Sequence, residues 1–106
     1  MTKTHLDIAA MRAGATQATS VLRVLSNPDR LMLLCRISSG EVCVSDLEEE
    51  LEIHQPTLSQ QLAVLRNEEL VTTRRDGKNI FYGIADPNVM ILLKTLYQLY
   101  CPAQES

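Results

Sequence analysis

The feature that most restricts the fold of this chain is the stretch from Ile53 to Arg66. Leu58, Leu62 and Leu65 recur there at the spacing of one helix face. Pro56 suits the first turn of that helix, where the N–H that proline lacks would have no partner. The other face carries short side chains that both donate and accept hydrogen bonds, namely Gln55, Thr57, Ser59, Gln60 and Gln61. With Arg66 beside them, they are suited to base edges and phosphates, so we expect this helix to bind DNA.

A second short helix is predicted directly before this stretch. Ser45 followed three residues later by Glu48 predicts a capping box at its N-terminus. The helix then extends from Asp46 to about Leu51, and residues 52–54 form a turn. Two short helices joined by a tight turn, the second exposing polar side chains, are typical of a helix-turn-helix.

The residues that follow the stretch are typical of strands. Leu70–Arg75 and Asn79–Ile84 are rich in β-branched and aromatic side chains, and Asp76-Gly77-Lys78 between them is a hairpin turn signal. A hairpin directly after a DNA-reading helix predicts the wing of a winged helix. Its basic residues, which we expect within reach of phosphate or the minor groove, are Arg74, Arg75 and Lys78.

Two helices are predicted before the helix-turn-helix. Apolar residues at spacings of three and four predict a long first helix from about Asp7 to Leu25. Asn27 caps a second helix, with Pro28 in its first turn, and Ser38-Ser39-Gly40 ends it.

A last helix is predicted from Asp86, its cap, to about Tyr100, with Pro87 in its first turn. It is apolar nearly all round, and the first helix is longer than one small core needs. We therefore expect the first and last helices to form a homodimer contact. A two-fold dimer would place its two recognition helices on successive major-groove faces of a pseudo-palindromic operator. The fold class is mainly α with a small β-hairpin, a winged helix-turn-helix.

Composition fits one winged-helix domain over residues 1–106, with flexible ends expected at 1–6 and 102–106. The net charge is −3, but six of the thirteen acidic residues lie between Glu41 and Glu52. The rest of the chain therefore carries ten basic residues against seven acidic ones, which allows a locally positive surface for DNA.

Several functional classes are not expected. The sequence has no phosphate-binding loop, no metal-site spacing and no nucleophile with a base placed beside it, so we predict neither an enzyme nor a bound cofactor. Its start lacks the layout of a signal peptide, and no apolar run approaches the roughly 18 residues that cross a membrane. We expect a cytoplasmic protein without a membrane partner, with its three cysteines reduced at rest.

The order of these elements resembles the ArsR/SmtB family of dimeric winged-helix repressors. The resemblance covers roughly Ala18 to Cys101 and rests on the segments Leu25–Leu31, Gln55–Arg66 and Leu70–Lys78. It implies a repressor that leaves its operator when an inducer binds, and the inducer differs among branches of the family.

The metal-sensing branches are matched poorly. Zinc-sensing members resemble one another in a set of aspartate, histidine and glutamate ligands on the last helix, and this chain has no histidine there. Members that sense arsenic, cadmium or lead have a Cys-Val-Cys segment where this chain has Cys43-Val44-Ser45. Soft metals need two or three thiolates. A repressor that responds to a soft metal or metalloid through Cys43 and another thiolate stays open as an alternative.

The other two cysteines are placed as in the persulfide-sensing branch of this family. Cys35 lies in the second helix, and Cys101 ends the last one. The resemblance implies that reactive sulfur species convert this pair into a sulfur bridge, which relieves DNA binding. One competing interpretation is that Cys35 is only a small core residue. Another is a winged-helix module that contacts proteins through its acidic helix, Asp46–Leu51, without binding DNA.

Overall fold

The described chain, residues 6–101, forms five helices and a three-stranded sheet in the computed structural model. The ends predicted to be flexible are 1–6 and 102–106, and all of these residues except Leu6 lie outside the described residues. The elements in chain order are α1 Ile8–Leu25, α2 Pro28–Ser38, β1 Val42–Cys43, α3 Val44–Leu51, α4 Thr57–Asn67, β2 Val71–Asp76, β3 Asn79–Ile84 and α5 Pro87–Tyr100. This order confirms a winged helix-turn-helix that is mainly α.

The predicted caps of the second and last helices are confirmed. The Asn27 side chain accepts a hydrogen bond from the backbone N–H of Arg30 at 3.0 Å. The Asp86 side chain accepts one from the N–H of Asn88 at 2.8 Å. Each bond gives a partner to an N–H that the first helical turn leaves unpaired.

The predicted capping box at Ser45 is wrong. α3 begins at Val44, its cap residue is Cys43, and no side chain caps it. The reason lies in the sheet, because Val42 pairs with Tyr82 and Cys43 pairs with Phe81 of β3. This pairing holds Cys43 extended, and the helix begins at Val44, two residues earlier than the predicted start at Asp46.

The predicted position of Pro56 is also corrected. α4 begins at Thr57, so Pro56 is the residue before the first turn and makes no side-chain cap. The Gln55 side chain takes that role, since its Oε1 accepts hydrogen bonds from the backbone N–H of Ser59 at 3.1 Å and from the Ser59 hydroxyl at 2.6 Å.

The predicted hairpin is present, with β3 as predicted and β2 displaced by one residue, from Leu70–Arg75 to Val71–Asp76. Asp76 pairs with Asn79, which leaves Gly77 and Lys78 as a two-residue turn with Gly77 at φ +66°. Glycine adopts this left-handed conformation without the strain that a Cβ would add. β1 adds a third strand beyond the predicted hairpin, in the order β1-β3-β2.

The core contains the leucine face of α4 that the sequence predicted. Leu58 and Leu65 are fully buried and Leu62 is 2% exposed. They pack in one cluster with α2 and with Val89 and Leu93 of α5. Among the described residues, no helix is both long and apolar enough to span a membrane.

Large apolar side chains of α1 and α5 remain on the surface, as the dimer expectation requires. At least 50% of each side chain is exposed in Ile8, Met11, Leu22, Ile91, Tyr97, Leu99 and Tyr100. A monomeric protein rarely exposes so many large apolar groups on adjoining helices.

Replacing Leu62 with alanine should lower the free energy of unfolding by about 2–5 kcal/mol, because the change removes buried methyl groups and leaves a cavity. Gln60→Ala, an exposed change on the same helix, should stay within about 0.5 kcal/mol. Urea denaturation at one protein concentration measures both. Equal losses in the two variants would contradict the assignment of the buried face of α4.

Candidate nucleic-acid interface and thiol groove

The polar face of α4 is accessible next to the helix-turn-helix turn. Gln55, Ser59 and Gln60 are exposed, and Thr57 is half-buried. The Ser59 hydroxyl donates to Gln55 Oε1. This hydrogen bond orients two of the predicted DNA-binding side chains relative to each other and leaves the Gln55 amide N–H groups outside that contact.

Gln61 differs from the other predicted side chains of this face. It is half-buried, and its Oε1 accepts a hydrogen bond from Arg30 Nη1 at 3.0 Å. Arg30 Nε also donates to the carbonyl oxygen of Val24 at 2.9 Å. The Gln61 side chain is therefore joined to α2 and, through Arg30, to the end of α1.

Arg66 lies at the far end of α4, where it contacts the wing. Its Nη1 donates to the hydroxyl of Tyr82 at 2.6 Å, and the residue remains exposed. Since Tyr82 is a buried residue of β3, this contact fixes the end of α4 against the sheet and places a cation between helix and wing.

The arginines of the wing lie on opposite faces of the sheet, because successive side chains of a strand alternate. Arg74 pairs with Phe81 and lies 4.8 Å over its ring, with Nη2 2.8 Å from Oε1 of Glu41. The hydrogen bonds from Arg74 lower the pKa of the Glu41 carboxyl. Sequence reasoning missed this contact, although the alternation of the strand already separates Arg74 from its neighbour.

Arg75 faces the other side of the sheet. It pairs with Ile80 and shares a face with Tyr82, the residue that contacts Arg66 of α4. Lys78 lies at the turn of the hairpin, and both cations are exposed. Within residues 6–101, neither has a carboxylate within 4.0 Å.

Cys35 and Cys101 line one groove between α2 and α5, which we call the thiol groove. It has a volume of about 680 Å³ and is lined by Leu31, Met32, Cys35, Arg36, Ser38, Ser39, Leu51, Lys94, Tyr97, Gln98 and Cys101. Cys35 is half-buried on the α2 wall, whereas Cys101 is exposed at the end of α5. The fold thus brings together the two cysteines that the sequence singled out.

The two thiols differ in their surroundings. Burial raises the pKa of the Cys35 thiol, and the negative charge of an ionised Cys101 raises it further. A raised pKa lowers the thiolate fraction at neutral pH, and the thiolate is the nucleophile. The raised pKa and the half-buried position of Cys35 therefore both slow the reaction of its thiol at neutral pH.

Cys43 lies outside the lining of the thiol groove. It is buried, and its Sγ donates to Oδ2 of Asp46 at 3.3 Å and lies 3.3 Å from Oγ of Ser45. In the part of the chain that the structure describes, no cluster of three or more histidine, cysteine or acidic side chains is suitable for a metal ion.

Comparisons with known proteins agree on one kind of protein. Residues 27–73 match the family model described as bacterial regulatory protein, arsR family. The chain is 44% identical over 102 residues to the biofilm growth-associated repressor of Agrobacterium fabrum, covering 96% of this chain and 87% of that protein. The crystal structure of the transcriptional repressor BigR from Xylella fastidiosa superposes with a TM-score of 0.84 at 41% identity, covering 92% of this chain and 100% of that one. The structure of reduced HlyU from Vibrio cholerae superposes with a TM-score of 0.83 at 34% identity, covering 88% of this chain and 98% of that one.

The pH dependence of alkylation should separate the two thiols of the groove. In a Cys43→Ser background, iodoacetamide should modify Cys101 faster than Cys35 at pH 7, because the pKa of Cys35 is raised. The rate at Cys35 should keep rising to a higher pH than that of an unperturbed cysteine, as its thiolate fraction grows. Mass spectrometry of the two peptides measures both rates.

Cys101→Ser should bring the pKa of Cys35 part of the way back to that of an ordinary cysteine. The charge of Cys101 disappears, but burial, the larger cause of the raised pKa, remains. Its alkylation profile should then move to lower pH. A shift to higher pH in this variant would contradict the proximity of the two thiols.

Proposed function

Since the chain belongs to the arsR family of bacterial regulatory proteins, we propose that it is a homodimeric repressor released from DNA when persulfide or polysulfide oxidises Cys35 and Cys101. It is a DNA-binding transcriptional regulator with a winged-helix fold. The observation that carries the proposal is that Cys35 and Cys101 line the same groove, between the helix that supports α4 and the helix with the exposed apolar end.

The proposed DNA surface combines α4 and the wing of a domain that occupies residues 1–106. Gln55, Thr57, Ser59 and Gln60 face a major groove, and Arg66 lies where α4 meets the wing. The full set proposed for DNA contact or for support of that contact is Gln55, Thr57, Ser59, Gln60, Gln61, Arg66, Arg74, Arg75 and Lys78. Side chains that donate and accept suit direct readout, whereas the cations position the protein on the phosphates.

The proposed dimer forms through α1 and α5, whose apolar surfaces are exposed in the single chain. Burying such surface contributes roughly 25 cal/mol per Å². A two-fold axis through these helices repeats α4 once per half-site, which suits a pseudo-palindromic operator.

The proposed reaction begins at Cys101, the exposed thiol of the groove. Its thiolate attacks a sulfane sulfur of the polysulfide, and a new S–S bond forms as one S–S bond of the polysulfide breaks. The shortened polysulfide leaves with the electron pair and takes up a proton. Cys35 then loses its proton and attacks the sulfur chain on Cys101, and hydrosulfide leaves. Both thiols are oxidised to a sulfur bridge while sulfane sulfur is reduced to sulfide.

The bridge would join α2 to α5. Because α5 also carries the proposed dimer contact, a shift of α2 against it changes the spacing or angle of the two copies of α4. The free energy of DNA binding would then depend on the state of the thiol groove, which is an allosteric coupling between the two sites.

Cysteine variants test the proposal. Cys35→Ser and Cys101→Ser should each bind DNA as the parent chain does and fail to release it on polysulfide treatment, since neither can form the bridge. Cys43→Ser is the matched control and should release normally. Fluorescence anisotropy on a duplex from upstream of the chain's own gene measures release, and mass spectrometry detects sulfur atoms that link Cys35 to Cys101.

Normal release of the Cys35→Ser protein would contradict the proposed sensor. Release by arsenite, cadmium or lead and not by polysulfide would favour the metal-responsive alternative through Cys43. Absence of any shift at low salt would remove the DNA-binding interpretation and leave a protein-contact module.

The wing arginines should contribute unequally to DNA binding. Arg75→Ala should weaken binding and reduce the slope of log K against log salt by about 0.9, the value for one lost phosphate contact. Arg74→Ala removes the same charge but should change both quantities less, because Arg74 is already paired with Glu41. Titrations between roughly 50 and 200 mM salt compare them. A larger loss in Arg74→Ala would show that the wing meets DNA with its other face.

A further inference from the structure

Arg30 joins three helices through one side chain. It lies in the first turn of α2, donates from Nε to the carbonyl oxygen of Val24 in α1, and donates from Nη1 to Oε1 of Gln61 in α4. Both residues of the last contact are half-buried. We call these two hydrogen bonds the Arg30 bridge.

The position of Gln61 on α4 is that of a supporting residue. It follows Leu58 by three residues and precedes Leu65 by four, so it shares the face of two fully buried leucines. Gln60, its neighbour, is exposed on the opposite side, and no side-chain hydrogen bond to another part of residues 6–101 engages its amide.

The contact with Arg30 conflicts with base reading by Gln61. A glutamine that recognises adenine uses its amide oxygen to accept from N6 and its amide nitrogen to donate to N7. In Gln61 the oxygen is held by a charged donor that is itself half-buried. If the Gln61 oxygen turned to a base, the half-buried guanidinium of Arg30 would lose the acceptor of its Nη1–H group, which is unfavourable.

We propose that Gln61 is a positioning residue, through which the Arg30 bridge fixes α4 to the α1–α2 junction, and that base reading falls to its neighbour Gln60 and the other exposed side chains. This inference rests on the proposed DNA-reading role of α4. It also gives a route for the sensor, because α2 carries both Arg30 and Cys35.

An ion pair strengthens this connection on the other side of Cys35 in the sequence. Arg36 of α2 contacts Glu50 of α3. α2 is therefore joined by side chains to both helices of the helix-turn-helix, so a shift of α2 would act on both of them. The Arg36 contact is partly exposed and hence weaker, so the Arg30 bridge is the stronger of these two polar connections.

Selection of duplexes from a library with randomised half-sites tests the assignment. The parent chain, Gln61→Met, Gln60→Met and Arg30→Lys are compared for overall affinity and for base preference at each position. Methionine keeps the length and helix propensity of glutamine but removes its acceptor. Lysine keeps the charge of Arg30 but lacks the fork that engages two acceptors.

Gln61→Met should weaken DNA binding about tenfold, because one charge-assisted hydrogen bond is lost. The loss should be the same for all sequences, and the base preferences should not change. Arg30→Lys should weaken binding in the same uniform way with an unchanged salt slope. Gln60→Met should instead lose the preference at one base position per half-site. Loss of a base preference in Gln61→Met, with Gln60→Met unaffected, would overturn the proposal.

Hydrogen exchange of the α4 amides provides a readout that does not depend on DNA. Exchange should be faster in Gln61→Met and Arg30→Lys than in Gln60→Met, because the bridge no longer fixes the helix. If the parent chain enriches no sequence, the proposed function fails, and the exchange rates still decide the role of Gln61. Equal rates in all four proteins would overturn the Arg30 bridge. Should Gln61→Met fail to fold, Arg30→Lys carries the same comparison.

Discussion

The apolar face of α2 is the surface on which the rest of the structure depends. Leu33 and Leu34 are completely buried and Ile37 is 1% exposed. α2 contacts all four other helices and β3, so these three side chains share one close-packed core with the leucines of α4. Because such interiors transmit displacement and do not deform smoothly, the position of α4 follows that of α2. The thiol groove also lies along α2, between this helix and α5.

Local chemistry predicts much of this fold, and long-range pairing explains the errors. The leucine spacing of α4, the caps Asn27 and Asp86, and the turn at Gly77 depend on residues close in sequence, and all are confirmed. The capping box at Ser45 was wrong because β1 pairs with β3, nearly forty residues away, and that pairing sets the start of α3. No local pattern contains this information.

For the candidate site, too, the sequence predicts the local features and misses those that depend on tertiary contacts. The sequence identified the residue types of the DNA surface, but their partners depend on tertiary structure. Gln61 and Arg74 are of the same residue types as Gln60 and Arg75. Gln61, however, contacts Arg30, and Arg74 contacts Glu41. In both cases the periodicity of the element could have distinguished the two residues. Helical spacing places Gln61 with the leucines, and strand alternation places Arg74 opposite Arg75.

The acidic net charge of the chain is compatible with DNA binding because some of its carboxylates pair with arginines. Glu41 and Glu50, two of the six acidic residues between Glu41 and Glu52, pair with Arg74 and Arg36 and so offset the charges of these two arginines. Arg75 and Lys78 have no such partner among the described residues and are exposed, so their charges are accessible at the wing. A chain of this kind has weak non-specific affinity for DNA, since that affinity scales with the number of phosphates neutralised. Its binding then depends on the geometry of α4. In the proposed mechanism, a small shift of α2 would therefore be enough to release the protein, whereas a strongly basic protein would remain bound through charge alone.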